Sequence, residues 1–316
     1  MRLNRVVHIY SIPMRARFRG ITRRTGLLFE GPAGWGEFCP FEEYDDAEAA
    51  AWLACALEAA NDGWPAPVRS RVPVNCTVPV VSAERAHEIV ARSGCSTAKV
   101  KVAESTLAED CARLEAVRDA LGPNGFVRVD ANMLWDVDTA VAAIRAMDKA
   151  AGGLQYVEQP CHTLDELAAV RRRVNVPIAA DESIRKADDP LKVAVSGAAD
   201  IAVIKVAPLG GVRKALEVAE ACGLPCVVSS ALETSVGMAA GVALAAALPE
   251  LDYACGLATL QLLDGDVTSD SLTPVDGYLP VLTKAPVPDR VEEFVNDVIT
   301  ESWINRYDRV LSELSR

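Results

Sequence analysis

The chain has 316 residues, half of them hydrophobic, and a formal net charge of −12. That charge argues against a nucleic-acid partner, which needs a basic face, but it leaves room for a small anion in a local cationic pocket. No apolar run approaches a membrane span, the N-terminus lacks the apolar core of a secretory signal, and nine scattered cysteines read as free thiols, so the expectation is a cytoplasmic protein with no membrane partner.

The first 70 residues hold strand-like stretches at 3–10 and 26–30, then a Gly-rich loop at 31–44 and an Ala-rich helix at 46–60. From about residue 72 a rhythm sets in, with short β-type runs at 72–78, 97–102, 126–131, 154–159, 177–182, 200–206, 225–230 and 253–258. Helical spacing fills the gaps, as at 107–121, 139–150 and 212–221, and Gly94, Gly122, Gly152, Gly197 and Gly223 each follow a helical run. Strand–helix alternation implies parallel strands, and eight of them imply a closed barrel. The first strand is not followed by the Gly-rich phosphate turn of an open, doubly wound sheet. Residues 262–316 leave the rhythm, with a turn-rich stretch and a last helix near 291–311. The reading is a (β/α)8-type barrel, a modified TIM barrel, at 71–261, with an α+β capping domain built from 1–70 and 262–316. The 31–44 loop and the segment 13–18 would then cover the barrel mouth.

Three histidines, His8, His87 and His162, make no HExxH pattern, Cys222 and Cys226 have no second pair at zinc spacing, and no GxSxG elbow exists. The charges at strand ends say more, because barrel active sites are built there. Strand two carries Lys99 and Lys101, strand three Arg128, Asp130 and Asn132, strand four Glu158, strand five Asp181 and Glu182, and strand six Lys205. Residues two apart share a face, so Lys99 goes with Lys101, and Arg128 and Asn132 go with Asp130. Pointing these charges outward would bury them among apolar helices, so they face the axis. From Lys101 through Asp130, Glu158 and Asp181 to Lys205 the steps are 29, 28, 23 and 24 residues, each about one strand and one helix. Asp130, Glu158 and Asp181 thus converge from consecutive strands, and such an all-oxygen set calls for Mg²⁺, or Mn²⁺, over zinc. Lys101 and Lys205 stand on opposite sides, suited to taking a proton beside a carboxylate and holding the dianionic enediolate. A small-molecule carboxylate is the expected substrate.

The KxK pair with DAN, EQP, DES and IKVAPLGG resembles the enolase superfamily in its muconate-lactonising-enzyme-like subgroup. Residues 229–237 (SSALETSVG), residues 256–263 (GLATLQLL) and Arg128 look most like its o-succinylbenzoate synthase family. The resemblance implies Lys101 as base, Lys205 as charge stabiliser, and Asp130, Glu158 and Asp181 as metal ligands. It implies Lys99 beside the base, Asn132 and Glu182 next to the ligands, and a Mg²⁺-dependent loss of water that forms o-succinylbenzoate for menaquinone. Ser229 and Ser230 would bond the substrate's succinyl arm or cap the following helix. An N-acylamino-acid racemase or dipeptide epimerase would need nearly the same residues. A metabolite-binding barrel without catalysis would keep the acids but has no need of the KxK pair.

Overall fold

The structure, a computed structural model, describes residues 7–18, 20–185 and 197–314. Three antiparallel strands come first: β1 (Val7–Phe18), β2 (Ile21–Gly31) and β3 (Gly34–Phe38), in that order across the sheet. Residues 3–6 of the expected first strand lie outside the described residues, and the strand continues well past residue 10. Helix α1 (Asp46–Asn61) starts where Asp45 accepts the amide of Glu48 at 2.8 Å, and it buries Trp52, Leu53, Ala56 and Ala60. Helix and sheet approach closely at Gly36, where an added Cβ would lie 2.2 Å from the Ala56 carbonyl oxygen. Gly36→Ala is therefore expected to cost about 1–3 kcal/mol through overpacking, measurable as a lowered urea midpoint. An unchanged midpoint would show that the helix can retreat freely.

After β4 (Arg71–Pro73), the chain builds the barrel from β5 (Cys76–Val78), α2 (Ala83–Ser93), β6 (Thr97–Lys101), α3 (Leu107–Leu121), β7 (Phe126–Asp130) and α4 (Val137–Ala150). It continues with β8 (Tyr156–Glu158), α5 (Leu164–Arg171), β9 (Ile178–Ala180), α6 (Glu182–Arg185), β10 (Ile201–Ile204), α7 (Val206–Leu209), α8 (Val212–Cys222), β11 (Cys226–Val228) and α9 (Ser235–Ala247). Strands β5 to β11 form one parallel sheet in chain order. The expected eighth strand at 253–258 is reduced to two parallel bridges, Val74 to Cys255 and Ser229 to Gly256, and these close the barrel between β11 and the start of β5. The expected strand at 72–78 is split. β4 pairs antiparallel with β12 (Tyr278–Pro280) of the C-terminal segment, and only β5 enters the barrel.

Local chemistry sets the helix ends. Thr106 with Glu109, and Thr163 with Glu166, form reciprocal capping boxes on α3 and α5. Gly94 and Gly223 end α2 and α8 with left-handed φ of 65° and 62°. Helix α9 is apolar on all sides and buried along its length, because it packs against β3 as well as the barrel. The last helix, α10 (Asp297–Leu314), starts later than residue 291, after a 3₁₀ turn at Val291–Phe294. Its Trp303 and Tyr307 meet Phe38 edge-on, its Arg306 donates to the Phe41 and Tyr44 carbonyls, and its Arg309 pairs with Asp46 at 2.7 Å. The two chain ends thus pack together. Among the described residues, no helix is long and apolar enough to cross a membrane.

Candidate active site

The side chains singled out by spacing stand at the C-terminal ends of neighbouring barrel strands. β6 and β7 pair Lys99 with Arg128 and Lys101 with Asp130, and β7 and β8 pair Asp130 with Glu158. Asp181 and Lys205 each follow the last residue of their strand, β9 and β10. All three acids are buried, and each faces a lysine. Lys99 Nζ lies 2.9 Å from Glu158 and 3.5 Å from Asp130, Lys101 Nζ lies 2.6 Å from Asp130, and Lys205 pairs with Asp181. Lys101 also donates to Asn132 Oδ1 at 2.5 Å, and Asn132 Nδ2 donates to Glu182 at 3.4 Å.

The electrostatics follow from burial and from the balance of three acids against three lysines. Burial, and after it the charge of Asp130, pushes Glu158 up to about 7 against the pull of Lys99. Burial would also neutralise Asp130, but Lys101 and Lys99 outweigh it and hold that carboxyl below its usual range. For Lys99, burial opposes the charge, yet Glu158 and Asp130 prevail and raise it above the ordinary lysine value. Lys99 is therefore a fixed cation at the floor of the site.

Lys99, Lys101, Asp130 and Lys205 border one cavity together with Ser229 and Ser230. The serines do not cap α9, since Thr234 does so by accepting the Val236 amide. Ser230 instead shares a 2.5 Å hydrogen bond with Thr259. Arg128 lies one layer lower. It donates to Gln155, Asn75, Tyr156 and the Ala254 carbonyl at 2.6–3.2 Å and stacks on the Tyr156 ring, so it pins the barrel's closing seam.

Phe41 borders the cavity from above and belongs to the 31–44 loop expected to cover the barrel mouth. Thr77 of β5, which borders the cavity from the side, and Gln159 escaped the sequence reading. The buried Thr77 hydroxyl has no hydrogen-bond partner among the described residues. Gln159, at φ 40°, accepts the Asp181 and Ser183 amides and donates to Ser183 and the Cys161 carbonyl, tying the end of β8 to that of β9. Its place inside EQP, one residue past Glu158, was the available signal. A non-glycine residue held at positive φ marks a backbone that its surroundings over-determine.

The donor chemistry suits a hard divalent cation: three buried carboxylates on adjacent staves, with no sulfur or imidazole among them. Burial first, and then the negative charge of Asp130 and Asp181, pushes Glu158 upward, and such an ion would offset that charge. As the side chains stand, the lysines take up that charge. Among the described residues, no three His, Cys, Asp or Glu side chains are gathered tightly enough to grip an ion.

A closed parallel barrel with acids and lysines at its mouth, under an α+β cover, defines the class as a barrel enzyme with its site at the C-terminal strand ends. Residues 81–286 match the Enolase C-terminal domain-like family and residues 9–60 the Enolase N-terminal domain-like family. The o-succinylbenzoate synthase of Thermobifida fusca is 67% identical over 86% of each chain. That of Mycolicibacterium smegmatis is 57% identical over 94% of this chain and 92% of its own. The muconate lactonizing enzyme of Pseudomonas fluorescens, solved with muconolactone, superposes with a TM-score of 0.79 at 22% identity, covering 93% of this chain and 98% of that one. The chain belongs to the enolase superfamily and, within it, to the o-succinylbenzoate synthase family.

Proposed function

We propose that the chain dehydrates 2-succinyl-6-hydroxy-2,4-cyclohexadiene-1-carboxylate to o-succinylbenzoate, a step toward menaquinone, in the cytoplasm. The observation that carries this reading is that Lys101 and Lys205, from staves four apart, enter one cavity beside buried acids. Relatives at 67% and 57% identity are o-succinylbenzoate synthases, and that name supports the product.

Lys101 takes the proton on the carbon that bears the ring carboxylate, once its amine turns from Asp130 toward the substrate. The electrons of that C–H bond move first onto the carboxylate, giving an enediolate. Lys205, across the cavity, and Lys99, below it, offset the negative charge. The electrons then form the new ring double bond as the neighbouring C–O bond breaks, and Lys101 returns its proton to the departing hydroxide, releasing water. Aromatisation favours this second step. Asp130, Glu158 and Asp181 would hold Mg²⁺, with Asn132 and Glu182 steadying that group. When bound, the ion supplies further positive charge where the transition state gains negative charge. Ser229 and Ser230 bond the succinyl arm. We also read residues 1–70 and 262–316 as one domain covering the barrel of residues 71–261.

The test is the absorbance of the aromatic product, followed with Mg²⁺ and with excess EDTA, beside an assay for racemisation of an N-acylamino acid. Dehydration that EDTA stops is the expected result. Rapid racemisation without dehydration would replace this reading.

A further inference from the structure

The cover and the barrel wall meet at Arg24, in the middle of β2. Its side chain is fully buried yet does not reach the cavity. Arg24 Nε donates to the Leu232 carbonyl at 2.9 Å, and Nη2 donates to the carbonyls of Ala231, at 3.2 Å, and Cys39. The guanidinium lies 4.5 Å from the centre of the Phe41 ring. Three residues it touches, Phe41, Ala231 and Leu232, border the cavity, one from the cover and two from the turn that carries Ser229 and Ser230. Leu232 has a φ of 67°, so this turn is held in a shape that a non-glycine residue resists.

A neighbouring contact secures the same turn without touching the cavity. Glu37 of β3 accepts the Thr234 amide at 3.1 Å, the Gly237 amide at 2.8 Å, the Thr234 hydroxyl and the Tyr10 hydroxyl. Its carboxylate occupies the amino end of α9, where the helix dipole favours negative charge.

We propose that Arg24 is the positioning residue that sets the wall of the substrate-arm pocket, by fixing the turn after β11 and Phe41 to one planar guanidinium. It does so through carbonyls and a ring, which a forked donor can hold together and a lysine cannot. The proposal rests on the dehydratase reading for its kinetic consequence alone. Arg24 touches no reacting group, so losing it removes binding that substrate and transition state share.

The experiment compares Arg24→Met with Tyr10→Phe, which removes one hydrogen bond of the same interface and leaves every Arg24 contact in place. In folded Arg24→Met, KM is expected to rise about tenfold or more while kcat stays within about threefold. Amides 231–234 are expected to exchange with deuterium about tenfold faster or more. Tyr10→Phe should do neither. If Arg24→Met does not fold, Arg24→Lys keeps the charge without the fork and is expected to give the same two changes. A KM within twofold of the parent, unchanged exchange at 231–234, or the same KM rise in Tyr10→Phe would overturn the proposal. A parent enzyme that fails to dehydrate the substrate would sink the dehydratase reading alone, and the exchange data would still decide the role of Arg24.

Discussion

Replacing Lys101 with alanine is expected to lower dehydration by about a thousandfold or more, the upper part of the range for losing a positioned general base. Lys101 Nζ is the amine that pairs with Asp130 and Asn132 at the rim of the cavity, whereas Lys99 is committed to Glu158 and Asp130 below it. The two lysines of the KxK pair are therefore not interchangeable, and Lys99 cannot step in. The loss should fall on kcat rather than KM, because the proton is moved only in the transition state. Product affinity, measured by calorimetry, should stay near that of the parent. Turnover within tenfold of the parent would remove Lys101 as the base.

The second large effect is expected at Glu158. Its strand lies between those of Asp130 and Asp181, and its carboxylate is fully buried against Lys99. Glu158→Gln keeps the shape and removes the charge. Partners one step outside a metal's ligands already cost 10–100-fold when lost, so a ligand should cost at least about a hundredfold in turnover. A second readout does not depend on catalysis. Mg²⁺ should raise the melting temperature of the parent in a concentration-dependent way, by binding only the folded chain. That rise should be absent from Glu158→Gln. A variant that melts like the parent at every Mg²⁺ concentration would take Glu158 out of the ligand set.

What the sequence made legible was whatever repeats along the chain. Strand alternation and steady spacing brought Lys101, Asp130, Glu158, Asp181 and Lys205 to one rim, because a parallel barrel sets its strand ends side by side. Pairings between distant segments were not legible. The run at 72–78 looks like one strand, but β4 is claimed by β12, some 200 residues later in the chain, and no local pattern announces this. The eighth stave keeps its place through two bridges only. Arg128 shares a face with Asp130 as expected, but which layer it serves depends on Asn75, Tyr156 and Ala254 meeting it across the barrel. Arg24 and Glu37 lie in strands of the cover, where nothing repeats and a buried charge looks like any other polar residue of a strand.

Helix α9 carries one more consequence. Its amino end takes the Glu37 carboxylate from the start of the chain and, at the Ser235 amide, the Asp266 carboxylate from near the close, while Ser235 Oγ accepts the Leu272 amide. During synthesis the ribosome delivers Glu37 long before the turn it must hold, and Asp266 only after that turn has been made. A nascent barrel ending short of residue 266 would have its turn held by Arg24 and Glu37 but would lack the Asp266 contact at the Ser235 amide, so the amino end of α9 is completed last. A chain permuted to begin inside the 229–234 turn should suffer more than one opened at the far end of the barrel.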